Sequence, residues 1–296
     1  MICFGTGPEG GFRLPAPVRI RLDRGADAPA DGFEGVFPMP KSCGPLTGLT
    51  IQNGDGSALF DGIVDEQEQG LSGGTLTLSA RSRAALLLDN EAMPQNYVNP
   101  SLGTVFDRHV RPYGFARYLG EDQVFSGTLS VSKGMSEWAA AASFCARFLK
   151  TEPRVVNGVF DASGAAPGQE IVFGKGGVRF TSGLLRNRNC ELYSEVYALD
   201  PDGGTYFLAA ADSGAETLGV RRRRFLSGGA DASAVLKKAE QSAFEAVLDC
   251  PGNVAAPPLA PARIAGAETG GALRVWSARY VLGAQGEHTV ITLRRR

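Results

Sequence analysis

The chain has 296 residues, with 30 Lys and Arg set against 31 Asp and Glu, two histidines, five cysteines and 39 glycines. The balanced charge gives no global field to steer the protein to nucleic acid, and no stretch of about 18 apolar residues predicts a membrane span. The opening Met1-Ile2-Cys3-Phe4-Gly5 lacks a basic region followed by an apolar core, so no signal peptide is expected. Cys3, Cys43, Cys145, Cys190 and Cys250 are odd in number and widely spaced, without C-x-x-C. They read as reduced, mostly packed thiols of an intracellular product, not as a disulfide framework or zinc site.

In chain order, residues 16–24 alternate, with Val18, Ile20 and Leu22 on one face and Arg19, Arg21 and Asp23 on the other. Residues 47–52 predict a second strand, and Asn53-Gly54-Asp55-Gly56 a hairpin turn. The return strand spans residues 57–69, with Leu59 and Ile63 apolar and a charged tail. A turn over Gly70–Gly74 then leads into the strand beginning at Thr75. Residues 10–80 thus predict a small antiparallel meander closed into a barrel.

From residue 82 the pattern changes. A short helix is expected over 82–89, broken at Asp89-Asn90-Glu91. A second helix follows, with Asn99 as cap, Pro100 at its first position, and Pro112-Tyr113-Gly114 as its stop. Residues 125–132 alternate as a strand. Ser136 then caps a helix in which Glu137 stands in the first turn and Arg147 and Lys150 in the last, as the helix dipole favours. Trp138, Ala141, Ala142, Cys145 and Leu149 share its apolar face.

Strands return after residue 154. Residues 170–182 predict a hairpin turning on Gly174-Lys175-Gly176-Gly177. Residues 190–199 alternate, Leu192, Ser194, Val196 and Ala198 against Tyr193, Glu195, Tyr197 and Leu199, and turn at residues 200–204 into a partner strand. The longest helix is expected over 231–247 with Asp231 as cap, residues 255–264 as an extended connector, and two closing strands at the end.

Little in this pattern carries chemistry. Asp107 and His109 stand two apart on a helix and do not share a face, so a metal pair is poor geometry; a surface or capping histidine is expected. His288 reads as an exposed strand start. Asp61, Asp65, Glu66 and Glu68, and separately Glu191 and Glu195, read as solvated strand faces or charged edges, since no spacing fixes an acid–base pair. The glycine run at 174–177 lacks phosphate-loop spacing, and Asp200-x-Asp202-Gly203 lacks the later ligands of a calcium loop; both read as turns. Arg221 to Arg224 form the densest charge run, and on a strand only alternate members share a face. A solvated strand or a salt-bridged subunit rim suits them, with a phosphate contact as the other reading.

The stretch LFDGIVDEQEQGLSGGTLTLSARSRAALLLDNEAMPQNYVNPSLGTVFDRHVRPYGF (59–115) resembles baseplate hub proteins of contractile-tailed phages and phage-derived bacteriocins. The resemblance lies in the Phe60-Asp61-Gly62-Ile63-Val64 strand, the polar Ser79–Ser82 segment, the helix at Ala84–Leu88, the acidic break and Pro100-Ser101-Leu102. It extends over the helix beginning at Ser136, the arginine strand with the following helix, and the closing strands.

The resemblance implies a β-rich α+β fold with two similar antiparallel, tube-like β-barrels separated by a small α/β insert. It divides the chain as 1–81, 82–153 and 154–296. It implies a homotrimer forming a pseudo-sixfold ring, which adapts the sixfold tail tube or its initiator above to the threefold central spike below. Tape-measure protein and DNA would pass through the lumen without specific binding. Other baseplate proteins would be neighbours, and the protein would be made in the host cytoplasm and reside in the tail baseplate. Residues 81–94 would be a joint, with Asp89 and Glu91 as turn and interface residues and Arg222 and Arg224 at a subunit rim. No cofactor, metal or catalytic residue is implied. The competing readings are a tail-associated glycan hydrolase or peptidase, which needs a cleft with converging carboxylates or a metal, and a carbohydrate- or receptor-binding module, which needs exposed aromatic platforms.

Overall fold

A computed structural model describes the chain except residues 42, 72, 73, 201 and 228–230. The protein is strand-rich, built on large antiparallel sheets with five α-helices among the described residues. Its contacts divide it into two units, residues 1–166 with 279–287, and residues 167–278 with 288–296. No helix among the described residues is long and apolar enough to cross a membrane.

The sheet of the first unit runs Arg19–Gly25, Gly32–Pro38, Thr75–Ser82, Ala58–Gln69, Gly48–Gln52, Ile2–Gly7, Gly10–Arg13. The expected meander is therefore rearranged. Gly32–Pro38 pairs with both Arg19–Gly25 and Thr75–Ser82, and the first residues of the chain add a hairpin beside Gly48–Gln52. The strand Gly32–Pro38 went unread because two glycines and a proline mask its period. Phe33 and Phe37 nevertheless point inward and are buried. Gly35 between them has no room for a side chain, since an added Cβ would sit 2.6 Å from Phe33 Cζ. Ile20 and Leu22 face the core as expected, but Val18 precedes the strand and is exposed. The turn at 53–56 forms, with Gly56 at φ 84° and Asn53 N–H donating to Ser57 O. Two expected turns include residues outside the described set, 72 and 73 in one and 201 in the other.

The remainder of this unit is a small α/β assembly. Ala85–Asp89 is helical, as is Leu102–His109. The cap of the second helix is Ser101, whose Oγ accepts from Thr104 N–H, and not Asn99. Asn99 instead adopts φ 50°, and its Oδ1 accepts from Gly127 N–H. Asp122 Oδ1 takes a further free N–H at this helix start, from Gly103. Ser136 caps Glu137–Phe144 as expected, but the last turn, Cys145–Leu149, widens into a π-helix that ends at Lys150 with φ 56°. The expected 125–132 strand is shorter, Thr128–Val131, and pairs with Gln95–Val98.

In the second unit the strands run Ser182–Asn187, Phe244–Pro251, residues 288–295 of the last strand and residues 273–278 of the one before it. The helix expected over 231–247 covers only Ala232–Ala243; Phe244 opens a strand. The reason lies in the pattern after residue 243. Phe244, Ala246, Leu248 and Cys250 repeat every second residue and are all buried. No glycine marks the change, and Arg188 N–H takes the Ala243 carbonyl at the helix end. The expected 170–182 hairpin is also absent. Ile171–Phe173 pairs in parallel with Pro261–Ile264, inside the segment read as a connector. That segment buries Ala256, Ala260 and Ala262.

Candidate assembly surfaces

Three strands of the second unit form a small separate sheet, with Glu195–Leu199 in the centre, Tyr206–Ala211 antiparallel on one side and Arg223–Leu226 parallel on the other. Both outer strands therefore have an edge without a sheet partner among the described residues. The arginine run alternates as its sequence implies. Arg221 Nη1 lies 3.1 Å from Glu216 Oε1, and Arg223 Nε lies 3.6 Å from Glu195 Oε2. Arg222 and Arg224 come together on the other side, 5.0 and 5.9 Å from the centre of the Tyr193 ring. Such cation–π contacts hold a guanidinium without neutralising it.

The face of this sheet that carries Arg223 also carries an aromatic cluster. Tyr197 and Phe225 stack at 5.2 Å, and Tyr206 meets Phe225 edge-on at 5.2 Å. Phe225 is 53% exposed and Tyr206 48%. Sequence reading missed this cluster because its three members lie on separate strands far apart in the chain. The signal was present: Tyr197, Tyr206 and Phe225 sit on three short strands whose pairing was half legible. Trp276, by contrast, lies between Arg274 and Arg294, and Trp138 meets Phe160 edge-on.

A third open edge is the strand Ser182–Asn187. It pairs on one side with Phe244–Pro251 and ends its sheet. All six residues are exposed, including Leu184 and Leu185.

In the first unit, Asp89 and Glu91 are both held by hydrogen bonds. Arg81 bridges two carboxylates, donating to Asp65 at 2.7 and 2.8 Å and to Asp89 at 3.0 and 2.8 Å. The guanidinium holds the Asp89 carboxyl below its ordinary value. Glu91 Oε1 accepts from Gly134 N–H at 2.7 Å, and its backbone bridges to Ser136. Glu137 N–H donates to Asn90 O. The break thus ties the short helix to the start of the helix Glu137–Phe144. Asp89 and Glu91 have different partners.

His109 is not at the surface. It is 1% exposed, its Nδ1 2.6 Å from Glu137 Oε2 and its Nε2 2.8 Å from the Tyr97 hydroxyl. The Tyr113 hydroxyl donates to Glu137 Oε1 at 2.9 Å. An ionised carboxylate only accepts, so Nδ1 donates to Glu137, and Nε2 shares a hydrogen bond with the Tyr97 hydroxyl. This network fastens two helices and a strand, and Asp107 takes no part, pairing with Arg111 on the surface. His288 stands near the start of the last strand as expected, its third residue, but is half-buried and opposite Pro251. The acidic clusters are engaged in part: Asp61 with Arg83, Asp65 with Arg81, Glu191 with Arg188 and Glu195 with Arg223. Among the described residues no three His, Cys, Asp or Glu side chains are placed to hold a metal ion.

These strands, the helical assembly beside them and the open edges make up the fold of solved phage and prophage tail proteins. A tail protein from Neisseria meningitidis MC58 aligns over 99% of this chain and 96% of its own, with TM-score 0.74 and 17% identity. The 43 kDa tail protein of prophage MuSo2 from Shewanella oneidensis aligns over 99% and 98%, with TM-score 0.75 and 14% identity. An E. coli type VI secretion component, described as structurally similar to T4 bacteriophage tail proteins gp27 and gp5, aligns over 96% of this chain and 74% of its own, with TM-score 0.57 and 8% identity. The resemblance to tail hub proteins read from residues 59–115 is met at the level of the fold. No family model matches the chain, and no curated protein matches it.

Proposed function

We propose that this chain is a structural component of a phage tail or phage-tail-like particle, a baseplate hub that works by assembly and not by catalysis. The observation that carries this reading is the end-to-end likeness of the fold to the Neisseria and Shewanella tail proteins, each covered almost completely. In the finer reading, each copy contributes two tube-like barrels, and three copies close a pseudo-sixfold ring between the tail tube and the central spike. The ring lets tape-measure protein and DNA through. The open edges at Ser182–Asn187, Tyr206–Ala211 and Arg223–Leu226 support it, since an unpaired strand edge invites a neighbour. The cluster of Tyr197, Tyr206 and Phe225 on the face that carries Arg223 supports it too, because protein interfaces are enriched in aromatics and arginine.

Light scattering after size exclusion tests the reading. The ring predicts about 93 kDa, three times the 31.1 kDa chain. A one-copy mass, both alone and after co-expression with neighbouring tail proteins, would overturn it.

A further inference from the structure

We propose that the Arg222–Arg224 pair of one copy receives Glu66 and Glu68 of the next copy, joining copies head to tail. The proposal rests on the ring reading and names the contact that closes it.

Of the four consecutive arginines, Arg221 and Arg223 have carboxylate partners, whereas Arg222 and Arg224 have none among the described residues. Both are exposed, and the Tyr193 ring holds their guanidinium groups on one side. Two like charges held side by side repel, and an anion placed against both offsets that repulsion. The strand Ala58–Gln69 presents the inverse arrangement. A register shift between Val64 and Glu66 leaves Glu66 opposite Ser79 and Glu68 opposite Thr77. Leu76, Leu78 and Ala80, the alternate residues of that partner strand, face the core, so Glu66 and Glu68 face outward. Both glutamates are exposed, and neither has a cationic partner among the described residues. The other acids of the strand are taken, Asp61 by Arg83 and Asp65 by Arg81.

Glu66 and Glu68, two apart on their strand, stand roughly 6.5–7 Å from one another, and Arg222 and Arg224, also two apart in the chain, meet over one ring. The two surfaces are different patches of the same chain, so the contact is heterologous, the kind that closes into a ring when the rotation allows.

The test is a charge swap read by light scattering. Four proteins are compared: wild type, R222E/R224E, E66R/E68R, and the variant carrying all four changes. Thermal unfolding verifies that each is folded, and R222Q/R224Q with E66Q/E68Q serve as milder versions. Each double reversal is expected to weaken association about tenfold or more, with the wild type also weakening as salt rises. The fourfold variant is expected to regain the wild-type mass, whereas a mixture of the two double variants is not, since a ring of three must contain at least one like-charged contact. A double reversal that assembles like wild type, or a folded fourfold variant that fails to regain association, overturns the proposal and leaves the ring reading standing. A wild-type one-copy mass at every concentration, with or without co-expressed tail proteins, sinks the ring reading and the clamp with it. Unchanged mass together with lost retention on DNA would assign the arginine pair to phosphates instead.

Discussion

Glu137 was legible as a first-turn acid of a helix, and the structure gives it a second task whose loss can be sized. Its two oxygens accept from His109 Nδ1 and from the Tyr113 hydroxyl, and the residue is buried. Glu137→Ala leaves both donors without an acceptor. An unsatisfied buried group costs about 1–3 kcal/mol. The imidazole, 1% exposed, belongs at the upper end, and the half-buried Tyr113, which can turn to water, at the lower. The expected loss is about 3–4 kcal/mol, within the range for breaking a buried polar pair. Glu137→Gln keeps one acceptor oxygen and should cost about half as much by the same reasoning. Urea unfolding followed by the fluorescence of Trp138, the next residue, reads both. Ser136→Ala, which removes only the cap hydroxyl, is the control at about 1 kcal/mol. A Glu137→Ala protein within about 1 kcal/mol of wild type would refute the claim that the network holds these helices together.

Phe244→Asp should abolish folding into recoverable protein, because Phe244 is 4% exposed among apolar neighbours and an unpaired buried charge costs several kcal/mol; unchanged thermal stability would contradict this. Asp122 has a carboxyl held below its ordinary value, first by the Gly103 N–H and then by the Tyr118 hydroxyl. A depressed folded-state pKa contributes stability above the unfolded value, near 4, that is lost as pH falls through the folded one. The stability gap between wild type and Asp122→Ala, measured by urea unfolding, should therefore be present at neutral pH and shrink below about pH 4; a constant gap would refute the assignment. Cys190 is exposed, whereas burial pushes the thiols of Cys3 and Cys250 up to about 11 and that of Cys145 up to about 12. A thiol reagent at neutral pH should modify Cys190 first and reach those three only on unfolding.

Much of the fold could be read where period and punctuation agree. The strands at 48–52 and 75–82 and the caps at Ser136 and Asp231 follow from alternation and hydroxyl or carboxyl placement. The misreadings have physical causes. At 231–247 a helical face runs without a break into Phe244, and only the next few residues show the change to period two. Residues 255–264 look like a proline connector, yet small alanines let the backbone lie against other strands. His109 looked like a surface histidine because its partners, Tyr97 and Glu137, lie 12 and 28 residues away. The same distance problem hid the Tyr197–Phe225–Tyr206 cluster. The alternation of the arginine run, a local property, was legible; its placement over Tyr193 was not.

The central claim is that this chain builds a ring, and electron microscopy of the purified assembly tests it most directly. Class averages seen down the axis should show three copies around an open centre, with near-sixfold inner density from two barrels per copy. Particles with no central opening, or with a symmetry other than threefold, would contradict the account.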